Sequence, residues 1–315
     1  DGHALWTPRK ADVALNTTQL DLSKLPHVLA PPSLGLGGLL DLKATVTGTP
    51  KKPDAAFHAE LVQGSVEGID GLALSADGTW RNDRAAGTLK VGSPVGALNG
   101  TFDLPVLALL AEKPEPATAH FTLDHVALSQ VEQKLGRTLP VSGQLAATLD
   151  VSGTGKALNV SAVVDSPELQ LTQGERRISV KQPALRVETQ PDGTLKATVT
   201  ANALGGAHRV TLTTPLTLSG LRKSPPTKSS LLSTPVTLDF SLADFSPLAQ
   251  HAKSRNGSMT VAGTLTGTAR APLGEVRVTM RELSLAPLRK LDGTVTLQLE
   301  SARIALTGDV SVEKL

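Results

Sequence analysis

The sequence predicts an all-β protein with a few short helices, its mostly antiparallel sheet built from repeats. Three observations predict it. Apolar and polar residues alternate over most of the chain. Turn signals arrive roughly every 10 to 12 residues, the spacing of short antiparallel strands. One strand pattern, Gly-x9-Gly-Thr, occurs three times, from Gly38, Gly143 and Gly257.

The first repeat opens on Leu22, Leu25 and Leu29, the i, i+3, i+7 stripe of a short helix, cut short by Pro31-Pro32. Its strand, Gly38 to Thr49, carries Leu40, Leu42, Ala44 and Val46 at even offsets. Asp41, Lys43, Thr45 and Thr47 fill the odd offsets, so one face is apolar and the other wet.

The second repeat begins with Leu128, Val131 and Leu135. Ser129 ahead of Gln130 to Leu135, with Glu132 three residues on, predicts a capping box, and Gly136 a helix stop. The strand from Gly143 to Thr154 presents Leu145, Ala147, Leu149 and Val151 against Gln144, Thr148, Asp150 and Ser152. Strands follow at Val160/Ala162/Val164 and Leu169/Leu171. Leu185/Val187 and Leu195/Ala197/Val199/Ala201 flank Gln190-Pro191-Asp192-Gly193, which predicts a β-hairpin with Gly at positive φ. Val210/Leu212, Leu216/Leu218 and Val236/Leu238/Phe240/Leu242 continue the alternation.

The third repeat has a helical stripe at Phe245, Leu248 and Ala252, then Met259, Val261, Gly263 and Leu265 in its Gly-x9-Gly-Thr strand. Val276/Val278/Met280, Leu283/Leu285, Val295/Leu297/Leu299 and Val310/Val312 follow. Asp-Gly-Thr at Asp77, Asp192 and Asp292, and Asn-Gly at Asn99 and Asn256, read as turns. Lys223 to Ser230 reads as the clearest loop. The repeats start 105 and 114 residues apart, giving units of 20–122, 123–237 and 238–315, the last incomplete. The chain does not begin with Met and reads as one elongated segment, 1–315, of a larger protein.

Composition narrows the chemistry. A formal charge of +2 gives no support for nucleic-acid binding driven by net charge. Aromatics at 2% leave few stacking platforms. No Cys is present, which removes disulfides, thiolate zinc sites and thiol catalysis. The longest apolar run, Leu104 to Ala111, is broken by Pro105 and is far short of the ~20 residues of a membrane-spanning helix.

Gly153-Thr154-Gly155-Lys156-Ala157 fails as a phosphate loop, because Asp150 stands where Gly is required and Ala157 where Ser or Thr is. It reads as a turn after a strand. Gly35-Leu36-Gly37-Gly38 has the wrong spacing for a dinucleotide fingerprint. The seven His (His3, His27, His58, His120, His125, His208 and His251) form no i, i+4 pair and read as exposed or singly satisfied. His120 and His125 fall on opposite faces of a regular strand. No Gly-x-Ser-x-Gly elbow or EF-hand pattern occurs. The shortage of Trp and absence of Tyr argue against a glycoside-hydrolysing carboxylate pair. The basic pairs Lys51-Lys52, Arg176-Arg177 and Arg222-Lys223, with Lys228, fall in predicted turns and read as solvated loops. A second reading sets them at a rim facing lipid headgroups.

The apolar face of such a sheet must be covered or closed. Three short helices are too few to cover it. A second sheet, a closed barrel, or a trough filled by a ligand remain. An acyl chain suits mobile aliphatic walls, each buried CH₂ gaining ~0.8 kcal/mol.

The helix stripe, the Gly-x-Leu strand ending in Gly-Thr, the nearby Pro53 and Pro272, and Gly71-Leu72-Ala73-Leu74 together resemble the repeat of the TamB/AsmA-like family of Gram-negative envelope proteins. The second repeat departs from the pattern, with Gly155-Lys156-Ala157 in place of the Pro. The resemblance implies an elongated sheet curled into a U-shaped trough with an apolar interior. It implies a non-enzymatic carrier of phospholipid between inner and outer membranes, with no cofactor, and a role in outer-membrane protein assembly and secretion. It places the chain as a periplasmic segment of a membrane-anchored protein, with an outer-membrane barrel partner engaged through another part. On this reading the groove is lined by Leu40, Leu42, Val46, Leu145, Leu149, Val151, Leu169, Leu171, Met259, Val261, Leu265, Leu283 and Leu285. The alternative is an extracellular structural or adhesive β-repeat with a sealed core. A carbohydrate-active β-solenoid enzyme is a third reading, and it needs converging carboxylates that cannot be assembled here.

Overall fold

The computed structural model describes residues 2–7, 10–24, 36–66, 69–111, 113–136, 138–173, 176–203, 206–217, 234–242, 257–268, 271–285, 288–300 and 303–313. The protein is all-β, with a few short helices and nineteen described strands. The chain divides into two compact units, the boundary in sequence falling between Ala162 and Val163.

The first unit contains β1 (Gly2–Trp6), β2 (Ala11–Asp21), β3 (Gly37–Thr49), β4 (Lys52–Val66) and β5 (Ile69–Arg81). β6 (Arg84–Ser93), β7 (Gly96–Pro105), β8 (Pro116–Ala127) and β9 (Val141–Thr154) complete it. From β1 to β9 each strand pairs antiparallel with its neighbour in sequence. Tight turns suffice to join several of these neighbours, as between β3 and β4 or β5 and β6. Helix α1 (Val106–Leu110) follows β7, and α2 (Leu128–Leu135) follows β8.

Strand β10 (Leu158–Asp165) crosses the unit boundary. The second unit continues with β11 (Glu168–Gln173), β12 (Arg176–Thr189), β13 (Thr194–Ala203), β14 (Gly206–Thr217) and β15 (Thr237–Leu242). β16 (Ser258–Thr268), β17 (Ala271–Leu285), β18 (Leu288–Glu300) and β19 (Arg303–Glu313) end it. From β11 to β19 the pairing is again antiparallel between successive strands.

The predicted hairpin forms. The Gln190 and Gly193 amides each donate across the turn at 2.8 Å, and Gly193 sits at φ 84°. The Asp192 carboxylate accepts from the Thr194 amide and hydroxyl, at 3.0 and 2.6 Å. Both bonds favour the ionised carboxylate, and the Asp192 pKa lies below its ordinary value. The turn read at Gly153 to Ala157 is a bend closed by reciprocal backbone bonds between Thr154 and Ala157, both 3.0 Å.

Other readings change. Asp77-Gly78, Asn99-Gly100 and Asp292-Gly293 run through the interiors of β5, β7 and β18. Their glycines make room rather than turns: Gly78 and Gly100 lie under the rings of Phe57 and Phe121, and Gly293 against the backbone of Asp309 and Val310. Strands therefore outrun the turn spacing, reaching 15 residues in β4 and β17. Arg176-Arg177 opens β12 instead of sitting in a turn.

Helix α2 begins at Leu128, so Ser129 and Glu132 are both inside it and no capping box forms. Its N-cap is Ala127, with no side-chain hydrogen bond. Gly136 ends it in the left-handed conformation, φ 63° and ψ 26°, as expected. Of the first predicted helix only a 3-10 turn at Leu22–Lys24 is described. The rest of it, the Phe245 stripe, Asn256 of the Asn256-Gly257 turn and the Lys223 to Ser230 loop lie outside the described residues.

Candidate functional site

The ladder register fixes which side chains share a face. In the first unit Leu42 pairs with Ala59, Ala59 with Ala76, Ala76 with Leu89, Leu89 with Gly100, Gly100 with Phe121 and Phe121 with Leu149. Leu40 starts a second row, through Leu61, Leu74, Val91, Leu98 and Leu123 to Ala147. Both rows are apolar throughout. Leu42 and Leu149, singled out from separate repeats, are thus the two ends of one unbroken row. With strands ~4.8 Å apart, seven strands span about 29 Å.

The opposite face is hydrophilic in the same register. One of its rows joins Lys43, His58, Asp77, Thr88, Thr101, His120 and Asp150. His58 Nδ1 lies 2.7 Å from Asp77, and His120 Nδ1 2.6 Å from Asp150. At the start of the unit Asp12 binds Lys10 at 2.9 Å and His3 at 3.2 Å, which lowers its pKa. Asp21 is held at about 2 by the Ser23 hydroxyl at 2.6 Å and then by Lys24 at 2.9 Å. Arg84 is paired with Asp103, and its pKa is raised by that bond. These are cross-strand or local pairs on a solvated surface, each satisfying its neighbour.

The second unit repeats the arrangement. Val187, Ala197, Leu212, Leu238, Leu265, Gly274, Leu299 and Ile304 form one continuous row. Met259 faces Met280, and Val261 faces Val278. His208, paired with Ala201 and Leu242, breaks a neighbouring row and turns Nε2 to the Ala203 carbonyl at 2.8 Å.

Among the described residues few apolar side chains are fully buried. The buried hydrophobic residues are Ala11, Ala108, Ala117, Ala119, Leu283 and Leu291, and four of the six are alanines. Leu40, Leu42, Val46, Leu145, Leu149, Val151, Leu169, Met259, Val261 and Leu265 are half-buried. Leu171 is exposed. Leu283 differs from the expectation of an open lining: it is 3% exposed and faces Leu291 across the ladder, beyond a bulge. Leu285 is in β17, but its side chain is outside the described set.

Sequence reading missed the strands between the first and second Gly-x9-Gly-Thr copies. Phe57, Leu61, Leu74, Val91 and Leu98 bridge the candidates, and alternation within β4 to β7 was the signal for them.

A cavity of about 850 Å³ opens on the hydrophilic face of the second unit. Its walls include Lys196, Arg209, Asp239, Thr264, Glu275 and Arg277. Arg277 is held by Glu275 at 2.8 Å and Asp239 by the Thr264 hydroxyl at 2.6 Å. Among the described residues no group of three or more His, Asp or Glu could hold a metal ion, and no helix is long and apolar enough to cross a membrane. Compared with known proteins, the chain matches no family model, no curated protein and no solved structure.

Proposed function

We propose that the chain is a non-enzymatic carrier whose apolar sheet face holds phospholipid acyl chains and lets them pass, in a periplasmic segment between two membranes. The observation that carries this reading is the unbroken apolar row from Leu42 to Leu149, whose two end residues stay only half-buried. The row's ~29 Å compares with roughly 15 Å for one leaflet of a ~30 Å hydrocarbon core, so it has room for acyl chains lying along it. The contacts available to a chain there are aliphatic, apart from isolated rings. The resemblance to TamB/AsmA-like repeats supports the same reading.

Leu149→Asp and Leu42→Asp put a charge in the row, whereas Thr148→Asp and Lys43→Asp put one on the face already wet. The expected result is a marked loss of phospholipid transfer between vesicles for the first pair and near-normal transfer for the second, with folding checked by circular dichroism. Native mass spectrometry after gentle extraction should show bound phospholipid. A preparation that carries no lipid and takes up no fluorescent acyl probe would refute the proposal, as would equal losses from both faces.

A further inference from the structure

The cavity on the hydrophilic face of the second unit is not used by the apolar rows, and the ladder register explains why it is hollow. Arg209 of β14 stands opposite Ser241, Ser241 opposite Ala262, and Ala262 opposite Arg277 of β17. This row has a long cation at each end and two small side chains between. β14 and β17 are three strand spacings apart, ~14 Å, so two extended guanidinium arms can close on a group seated above Ser241 and Ala262. The neighbouring row forms a wall, with Thr211 opposite Asp239, Asp239 opposite Thr264, and Thr264 opposite Glu275. Lys196 stands opposite Thr213.

The lining sets three cations, Lys196, Arg209 and Arg277, against two carboxylates. Both carboxylates are already engaged, Glu275 by one Nη of Arg277 and Asp239 by the Thr264 hydroxyl. Arg209 is exposed and makes no ion pair or side-chain hydrogen bond among the described residues. Lys196 comes only within 3.9 Å of Glu188. The hydroxyls of Thr211, Thr213 and Ser241 have no partner among the described residues.

A hollow whose spare groups are mostly donors selects an anion. Guanidinium forks match paired oxygens, and a phosphate monoester offers three terminal ones. The volume of about 850 Å³ exceeds what a bare phosphate fills, which leaves space for the alcohol it esterifies. The free hydroxyls and the remaining lone pairs of Asp239 suit a polyol. A nucleotide base finds no platform there. The one ring in the lining, Phe240, lies opposite Val210 and Gly263, in the register of the apolar face.

We propose that this cavity binds the phosphate monoester of a small polyol. Arg209 and Arg277 grip the phosphate oxygens above Ser241 and Ala262. Lys196 adds the third positive charge, and Asp239 accepts from a polyol hydroxyl. The sheet separates this site from the apolar face, so its occupancy does not depend on a lipid there.

Calorimetric titration of the full chain with glycerol 3-phosphate tests the site. One molecule should bind per chain. Glycerol, which has no charge, and glycerophosphocholine, a zwitterionic diester, should not bind. Arg209→Gln and Arg277→Gln should each weaken binding about tenfold or more, the scale of a lost hydrogen bond to a charged group. Lys90 is exposed on the hydrophilic face of the first unit, so Lys90→Gln removes the same charge elsewhere and should leave binding unchanged. Ser241→Leu fills the floor with no change of charge and should abolish binding, with the fold of each variant verified by circular dichroism. Phosphatidylcholine vesicles containing phosphatidic acid present the same monoester on a lipid. Their capture through Arg209 would assign the ester to a membrane, and binding of the soluble ester without capture would assign a free one. The proposal is overturned if glycerol 3-phosphate fails to bind, if glycerophosphocholine matches it, if Ser241→Leu still binds it, or if Lys90→Gln weakens binding as much as Arg209→Gln.

Discussion

Phe57, Phe102, Phe121 and Phe240 are the phenylalanines among the described residues, and each stands directly across a ladder from a glycine: Gly78, Gly87, Gly100 and Gly263. A Cβ on Gly87 would sit 2.9 Å from the Phe102 ring, and one on Gly263 3.0 Å from that of Phe240. Gly78 and Gly100 leave still less room beneath Phe57 and Phe121. The glycine gives up a side chain so that the ring can lie over the backbone, which restores contact a bare strand position lacks. At Gly100 the three atoms nearest a new Cβ all belong to the Phe121 ring. Gly100→Ala should therefore destabilise by about 1–3 kcal/mol, the scale of overpacking. In the Phe121→Ala background the same change should cost much less, because the ring it strikes is gone. Urea denaturation of the four proteins of this cycle measures the coupling. Additive losses would mean the ring and the glycine are independent. None of this was legible from the local sequence, where Asp-Gly and Asn-Gly are turn signals. Only the cross-strand partner shows whether such a glycine bends the chain or clears space.

At the scale of elements, alternation located the strands well but not their irregularities. Six register shifts each contain a non-glycine residue at positive φ: Gln19, Gln63, His125, Gln182, Glu282 and Lys290. Each is a bulge, where one strand spends an extra residue against its partner. The step shows in the sequence afterwards. Same-face residues run i, i+3 across it, from Leu61 to Gly64, Leu123 to Val126 and Met280 to Leu283. His125 lies in such a step, so counting five residues from His120 cannot set its face. Helix α2 shows the opposite balance, its stop legible and its start misread. Gly136 supplies the left-handed residue, while Ser129 lies two residues past the N-cap, Ala127, and too late to cap. Gly136→Ala should cost about 1 kcal/mol. Ser129→Ala should stay within ~0.5 kcal/mol. Thermal denaturation of both variants checks the pair, and a loss at Ser129 as large as that at Gly136 would restore the capping role.

On the scale of the whole molecule, the sequence made the antiparallel all-β class legible, along with two-faced strands in every repeat. It could not show what meets the apolar faces, because alternation looks the same whether a second sheet or a ligand lies opposite. Burial separates the cases within each unit. A sandwich buries large aliphatics, whereas among the described residues only Leu283 and Leu291 are large aliphatic side chains that reach that state. Half-buried rows of Leu, Val and Ala gain from an apolar ligand what a sealed core has already gained from itself. A ligand that bound the folded chain and not the unfolded one would stabilise it by mass action, by about 2.7 kcal/mol at a hundredfold excess over Kd. The melting temperature should then climb steadily with a short-chain phosphatidylcholine held below its micelle concentration, reaching a shift of about 5 °C or more. Glycerophosphocholine, the same headgroup without acyl chains, should give no shift, and Leu149→Asp should blunt the response while Thr148→Asp retains it. Equal shifts from the two compounds would assign the binding to headgroup contacts on the hydrophilic face. No shift from either would mean that the aliphatic rows are already satisfied by the protein itself.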